Sequence, residues 1–371
     1  MKLNDLVNYL ESVVPPAYQE SYDNSGIQYG EPDQEIGSVL LSVDITEEIV
    51  DEAVLKKCSM VISHHPLIFK PLKRISGRTA AEKILLKAIR NNIALYSMHT
   101  NLDLVKGGVS YRMAQKLDLE NIEVLVPLDK ILLKLVVFVP LEHAGIVRNA
   151  MFEAGAGHLG NYDRCSYNLK GEGTFRAGPD TNPYSGKKGK EHAEEEIRIE
   201  TVIPEYLKNK VIRAMIESHP YEEVAYDLYR LENNVPGAGL GCVGEFRKSM
   251  SEQDLVQKLG NVFEARAVRH TEFRDRKIKK VAVMGGSGGN YTDKAISSGA
   301  EAFITADIKY HSFLDAARDI LLIDIGHYES EKPSLEIINE LITKKFPKFA
   351  VRFSEINTNP VNYSQVWQKR K

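Results

Sequence analysis

Short apolar runs alternate with amphipathic stretches at both ends of this chain, and that alternation restricts the fold more than any other feature. Residues 38–44, 60–63 and 93–98 read as buried strands, the first ending in Asp44, and 79–91 has helical character. Strands alternating with helices predict a largely parallel sheet covered on both faces. In such sheets ligands gather where the carboxyl ends of the strands emerge.

The pattern changes near Asp129. A strongly apolar strand at 131–139 precedes a helix carrying Ala144, Ile146, Val147, Ala150 and Met151; a strand at 162–169 and a long polar loop at 171–191 follow. Residues 197–203 alternate as a third strand, 205–218 suit a helix, and 224–231 close with a fourth strand. The order βαββαβ is the ferredoxin-like unit. Beyond the turn-rich stretch 233–239, strands at 280–284, 302–305 and 321–325 resume the first style. The fold class is therefore α/β. A discontinuous outer domain, 1–128 with 233–371, is interrupted by a ferredoxin-like α+β domain at 129–232. A chain of 371 residues is long enough for two or three cores.

Composition excludes several function classes. A net charge of −3, from 48 basic and 51 acidic residues, argues against bulk electrostatic binding to nucleic acid. Cys58, Cys165 and Cys242 are odd in number and form no Cys-x-x-Cys unit, which suits a reducing compartment. No apolar run is long enough to span a membrane, and Leu3, Leu6, Val7 and Leu10 have helical spacing unlike a secretory leader. A cytoplasmic location is expected.

Four segments place ligand-type residues just past apolar strands: His64-His65, His99 with Asp103, Asp307 with His311, and His327 with Glu331. If the sheet is parallel, all four reach one edge. His64, His65, Asp103, His327 and Glu331 would there offer three imidazoles and two carboxylates to two divalent metal ions, one carboxylate bridging. His327 and Glu331, four apart, face the same way on a helical turn ahead of Pro333. Such mixed donors suit zinc, iron, manganese or cobalt. A lone strand-end histidine is more often solvated or hydrogen-bonded than ligating; the adjacent pair and the second cluster shift that balance. His99 and His311 suit hydrogen-bonding roles, and Asp307 suits either a general base or a helix cap. The glycine-rich turn 285–289 lacks dinucleotide or Walker spacing, so tight packing explains it better than anion binding. Lys70, Lys73 and Arg74 read as surface charge, with contact to substrate phosphates the sharper alternative.

At these residues the chain resembles a known family, the dinuclear-metal proteins called GTP cyclohydrolase 1 type 2 homologs or Ngg-interacting-factor-like proteins. The resemblance rests on Tyr22-Asp23-Asn24-Ser25-Gly26-Ile27-Gln28, Ser63-His64-His65-Pro66-Leu67-Ile68-Phe69, His99-Thr100-Asn101-Leu102-Asp103 and Gly107-Gly108-Val109. It continues in Asp307-Ile308-Lys309-Tyr310-His311 and in Asp324-Ile325-Gly326-His327-Tyr328-Glu329-Ser330-Glu331. Tyr22 stands where the family often has Trp, and Ala306 where Gly often precedes the Asp; neither touches a proposed ligand. The resemblance implies that the same five residues bind two metals, zinc or iron foremost, in a toroidal homohexamer. The middle segment resembles the P-II and CutA ferredoxin-like domains carried by longer members. Two functions are expected: a metal-dependent hydrolase of a nucleotide or related heterocycle, with His99, Asp307 or His311 moving protons, or a non-enzymatic metal-binding scaffold whose inserted domain senses a ligand.

Overall fold

Val39, Leu40 and Leu41 are wholly buried, as are Met60, Val61 and Ile62 and the Ala94-Leu95-Tyr96 run, so apolar side chains are covered on both faces of these strands. That is the signature of parallel strands. In the computed structural model, which describes residues 1–364, they lie in a five-stranded sheet. Its order is Gly26–Tyr29, Ala94–Ser97, Met60–Ser63, Ser38–Ser42, Ala350–Phe353; all pairings are parallel except that of the Gly26–Tyr29 edge. The last strand comes from the far end of the chain, with Ala350 opposite Ser38. Helices Glu47–Leu55 and Ala80–Arg90 begin where Thr46 and Thr79 accept hydrogen bonds from Ile49 N and Glu82 N. Caps of this kind contribute about 1 kcal/mol each.

The expected single sheet is in fact two. A six-stranded sheet runs Arg269–His270, Leu321–Asp324, Ala302–Thr305, Lys277–Val283, Gly239–Ser251, Leu119–Pro127. Its three middle α/β strands are parallel, and Gly239–Ser251 and Arg269–His270 pair antiparallel to them. Apolar patterning marks each strand but not its neighbours, so it does not reveal how many sheets the strands form. One buried cluster nevertheless runs through both, with Leu41, Ile62 and Tyr96 from the first and Val283, Ile304 and Ile323 from the second. Each such side chain contributes about 1.5–3 kcal/mol on burial.

The chain divides into two compact units, residues 1–126 with 237–371, and residues 127–236. The second contains strands Leu132–Pro140, Tyr167–Arg176, Glu191–Pro204 and Tyr226–Arg230 and helices Ala144–Glu153 and Lys208–Ser218. The sheet order places Leu132–Pro140 between Glu191–Pro204 and Tyr226–Arg230, with Tyr167–Arg176 at the other edge, all antiparallel. This is ferredoxin-like topology. Leu135, Val137 and Ile199 pack there on Val147, Met151, Val211 and Met215. One expectation fails: residues 171–176, expected within the loop 171–191, instead pair with 191–196 as a hairpin extension, from Gly171 opposite Glu196 to Arg176 opposite Glu191. The ladder is a backbone property and forms without an apolar face. No helix among the described residues is long and apolar enough to cross a membrane.

Candidate metal centre

Both sheets of the outer unit deliver side chains from the carboxyl ends of their parallel strands. The Met60–Ser63 strand runs into His64 and His65, whose N–H groups continue the ladder onto the carbonyls of Ser42 and Val43. Ser63 Oγ and Ser97 Oγ donate to the His65 carbonyl at 2.6 and 3.3 Å, pinning the turn. Ala94–Ser97 leads to His99 and to the short helix Thr100–Leu104, which carries Asp103. From the other sheet, Leu321–Asp324 passes through Gly326, at φ +95°, into the one-turn helix His327–Glu331.

Four residues meet around the Glu331 carboxylate. His65 Nε2 and His327 Nε2 lie 2.7 and 2.9 Å from Glu331 Oε2, and 3.3 Å from each other. His64 Nε2 stands 3.7 Å from Glu331 Oε1 and 4.0 Å from Asp103 Oδ1. His64 is fully buried and Glu331 nearly so, whereas 25% of the His65 side chain and 36% of the His327 side chain are exposed. The cluster is thus closed behind and open in front.

Each imidazole is held by a second group. His64 Nδ1 donates to the Met98 carbonyl at 2.8 Å, His65 Nδ1 to Asp44 Oδ1 at 2.7 Å, and His327 Nδ1 to Asp307 Oδ2 at 2.8 Å. A carbonyl only accepts, so His64 carries its proton on Nδ1 and turns a bare Nε2 lone pair toward two carboxylates. Burial pushes His64 below its usual range, which keeps it neutral. Neither His64 Nε2 nor Asp103 Oδ1 has a hydrogen-bond partner among the described residues, and both atoms are buried. Lone pairs facing one another without a donor are costly, and a cation between them removes the cost. The donor set therefore fits divalent metal.

The carboxylates and imidazoles shift one another's protonation. Burial lowers His65, but hydrogen bonds to Asp44 and Glu331 outweigh it and raise the ring to about 10. The same balance, with Glu331 and Asp307 as partners, lifts His327 to about 9. Burial and the Glu331 charge raise Asp103 well above the carboxylate range. Glu331 is held well below it, burial being outweighed by the surrounding imidazoles. Gly286, at φ +64°, lets Glu331 sit here, because a Cβ there would overlap Glu331 Oε1. The glycine-rich turn thus makes room for a carboxylate.

His99 joins the cluster from the side. Its ring lies 5.3 and 5.4 Å from those of His64 and His65, and two overlapping groups have donor atoms close enough to share an ion: His64, His65, His99 and His65, His327, Glu331. Asp23, with a fully buried carboxylate, accepts from His99 Nδ1 at 2.7 Å and from Thr100 N at 3.0 Å. Burial would raise Asp23, but these bonds hold it far below the usual range. Phe69 stands edge-on to His99, and the half-exposed Tyr22 lies 6.3 Å from Phe69.

The pattern of the chain as a whole matches one family model, Duf34/NIF3 (NGG1p interacting factor 3), over residues 1–360. The chain belongs to the Duf34/NIF3 family. It is 40% identical over 364 residues to a GTP cyclohydrolase 1 type 2 homolog of Halalkalibacterium halodurans, covering 96% of this chain and 98% of that protein. A Bacillus subtilis protein of the same description is 37% identical over 368 residues, covering 96% and 97%. The crystal structure of a Bacillus cereus protein related to NIF3 superposes with a TM-score of 0.82 at 37% identity, covering 98% of this chain and 99% of that one.

Within this NIF3 chain, Asp307 holds His327 and does not cap the following helix, Tyr310–Ala316, whose N-cap is Lys309. His311 is exposed on that helix, its ring against Tyr310, apart from both groups of donor atoms. Lys70, Lys73 and Arg74 are exposed. Sequence reasoning missed Asp44 and Asp23 as orienting groups. Asp44 ends a buried strand, the one signal that was available; Asp23 sits in the Tyr22 to Gln28 motif without local pattern of its own.

Proposed function

We propose that this NIF3 protein binds two divalent ions, zinc or iron foremost, through His64, His65, Asp103, His327 and Glu331, and acts as a metal-dependent hydrolase of a nucleotide or related heterocycle. The observation that carries the reading is the buried, partnerless pair His64 Nε2 and Asp103 Oδ1 beside a carboxylate shared by His65 and His327. When bound, paired divalent ions supply Lewis acidity at an electrophilic carbon or phosphorus. Asp44 and Asp307 orient His65 and His327, and the Met98 carbonyl fixes the tautomer of His64. Asp23 holds the Nδ1 proton of His99, which leaves His99 Nε2 free to take or give a proton beside the cluster. His65 and His327 are the solvent-facing members, so substrate enters on their side.

The second reading is a non-enzymatic metal-binding regulator, favoured by a separate cavity in the 127–236 unit. Metal-loaded protein incubated with GTP, other nucleotides and phosphodiesters, beside His64→Ala and Glu331→Ala, separates the two. Turnover lost in both variants supports the hydrolase; no turnover on any candidate supports the regulator. The proposal includes a toroidal homohexamer, as the family resemblance implies, and a sedimentation mass of six chains checks it.

A further inference from the structure

The 127–236 unit contains a cavity of about 670 Å³ on the face of its sheet turned away from the helices. That volume suits a small organic molecule. Strand register decides which side chains reach it. Ile197 and Ile199 pack toward the helices, so Glu194, Glu196 and Arg198 alternate onto the other face. Gly171, Gly173 and Phe175 lie on that face opposite Glu196, Glu194 and His192. Lys170, Glu172 and Arg176 alternate onto the opposite face, and each still borders the cavity.

Charge on the cavity face is unevenly matched. Glu194 pairs with His192 at 2.9 Å, and Glu200 with Arg198 at 2.9 Å and Lys134 at 3.5 Å. Glu196 receives a tyrosine hydroxyl, Tyr221 to Oε1 at 2.9 Å, and among the described residues no ion pair. Its other oxygen lies over Gly173, where a Cβ would overlap Oε2, so a glycine is required for the carboxylate to lie flat on the sheet. Aromatic rings wall the space: Tyr221 is 6.2 Å from Phe175 and 6.1 Å from Tyr184, at 58° and 48°. Rings tilted in this way enclose a compact group rather than clamp a flat heterocycle between parallel faces. Arg198, also on this face, donates from Nε to Glu200 and lies over the Phe138 ring, so part of its charge is met within the sheet.

We propose that this cavity binds an organic cation, an ammonium group on an apolar body, with Glu196 as counter-charge and Phe175, Tyr184 and Tyr221 as cation–π walls. A carboxylate and aromatic faces together are the standard recognition of such groups. The inference does not rest on the metal centre.

Calorimetry on the full chain with choline, and with its uncharged isostere 3,3-dimethyl-1-butanol, tests it. Choline binding should be at least about tenfold tighter than that of the isostere, and weaker by about tenfold in Glu196→Gln. Tyr184→Ala, a substitution at a half-exposed loop residue that leaves the sheet intact, should weaken it several-fold, and chelator treatment should leave it unchanged. Equal binding of the isostere, no effect of Glu196→Gln, or no choline binding to folded chain at millimolar concentration would overturn the proposal. So would loss of choline binding as chains associate, which would make a second copy the occupant of this face.

Discussion

In the outer unit Asp44, Asp307 and Glu331 each meet an imidazole within 2.9 Å, whereas in the 127–236 unit Glu196 meets, among the described residues, a tyrosine hydroxyl and no imidazole. The first arrangement is nearly closed: every ring is oriented by a second group, and the buried atoms of the cluster left without a partner among the described residues are one nitrogen and one oxygen. Small divalent transition-metal cations suit such a place. The second arrangement leaves a carboxylate on an open floor between tilted rings, which suits a larger, softer cation. The same elements, acids beside ring systems, thus lead to different ligands according to burial and to how completely each group is oriented.

The largest effects should come from the closed arrangement. Replacing Glu331 with Ala removes the anion shared by His65 and His327, and both turnover and metal should be lost; retention of either breaks the comparison. Chelation should lower the unfolding midpoint of the wild-type chain sharply, by the equivalent of about 4 kcal/mol for ions at a thousandfold excess over their dissociation constant. The same treatment of Glu331→Ala should leave the midpoint where it is.

Acid should weaken metal binding. With rings at about 10 and 9, His65 and His327 are both protonated near neutrality, and ligation must displace those protons. Apparent affinity therefore rises with pH until the rings deprotonate, and falls by as much as about 100-fold per pH unit below that, if both protons leave. Calorimetric titrations in buffers of different ionisation enthalpy read the proton release directly. Affinity that does not change with pH would contradict the charge assignment.

Smaller losses sharpen the distinction between holding a metal and using it. Asp44→Asn and Asp307→Asn should weaken metal binding about 10–100-fold, as the loss of orienting partners does. Asp23→Asn and His99→Ala should instead leave metal content intact and cut turnover by about 100-fold or more, lowering kcat with little change in KM. Metal loss in His99→Ala would move His99 into the ligand set with His64 and His65. The smallest effect is expected from Tyr184→Ala, which should alter neither metal content nor turnover.

How much of this was legible in the sequence follows from how local each signal is. His64-His65 after an apolar strand and the four-residue step from His327 to Glu331 are visible in short windows, and those residues do converge. Asp44 and Asp23 act on partners 21 and 76 residues away, and an acid among 51 gives no local sign of which histidine it will meet. The division into two sheets was hidden for a related reason. The strands Leu119–Pro127 and Gly239–Ser251 carry charged residues and glycines and lack the apolar run that marked the others. The hairpin extension of the 127–236 unit is polar on both strands, and its backbone ladder leaves no trace in hydropathy. Alternation of strand and helix, by contrast, is a property of the main chain's immediate neighbours, and it located the parallel strands of both sheets near residues 38–97 and 280–325.

Metal content per chain, measured by elemental analysis after the protein is saturated with zinc or iron and freed of excess, tests the central claim most directly. The account predicts about two ions per chain in the native protein and fewer than about one in His65→Ala and in His327→Ala, with the fold retained by circular dichroism. Metal content unchanged in either folded variant would contradict it.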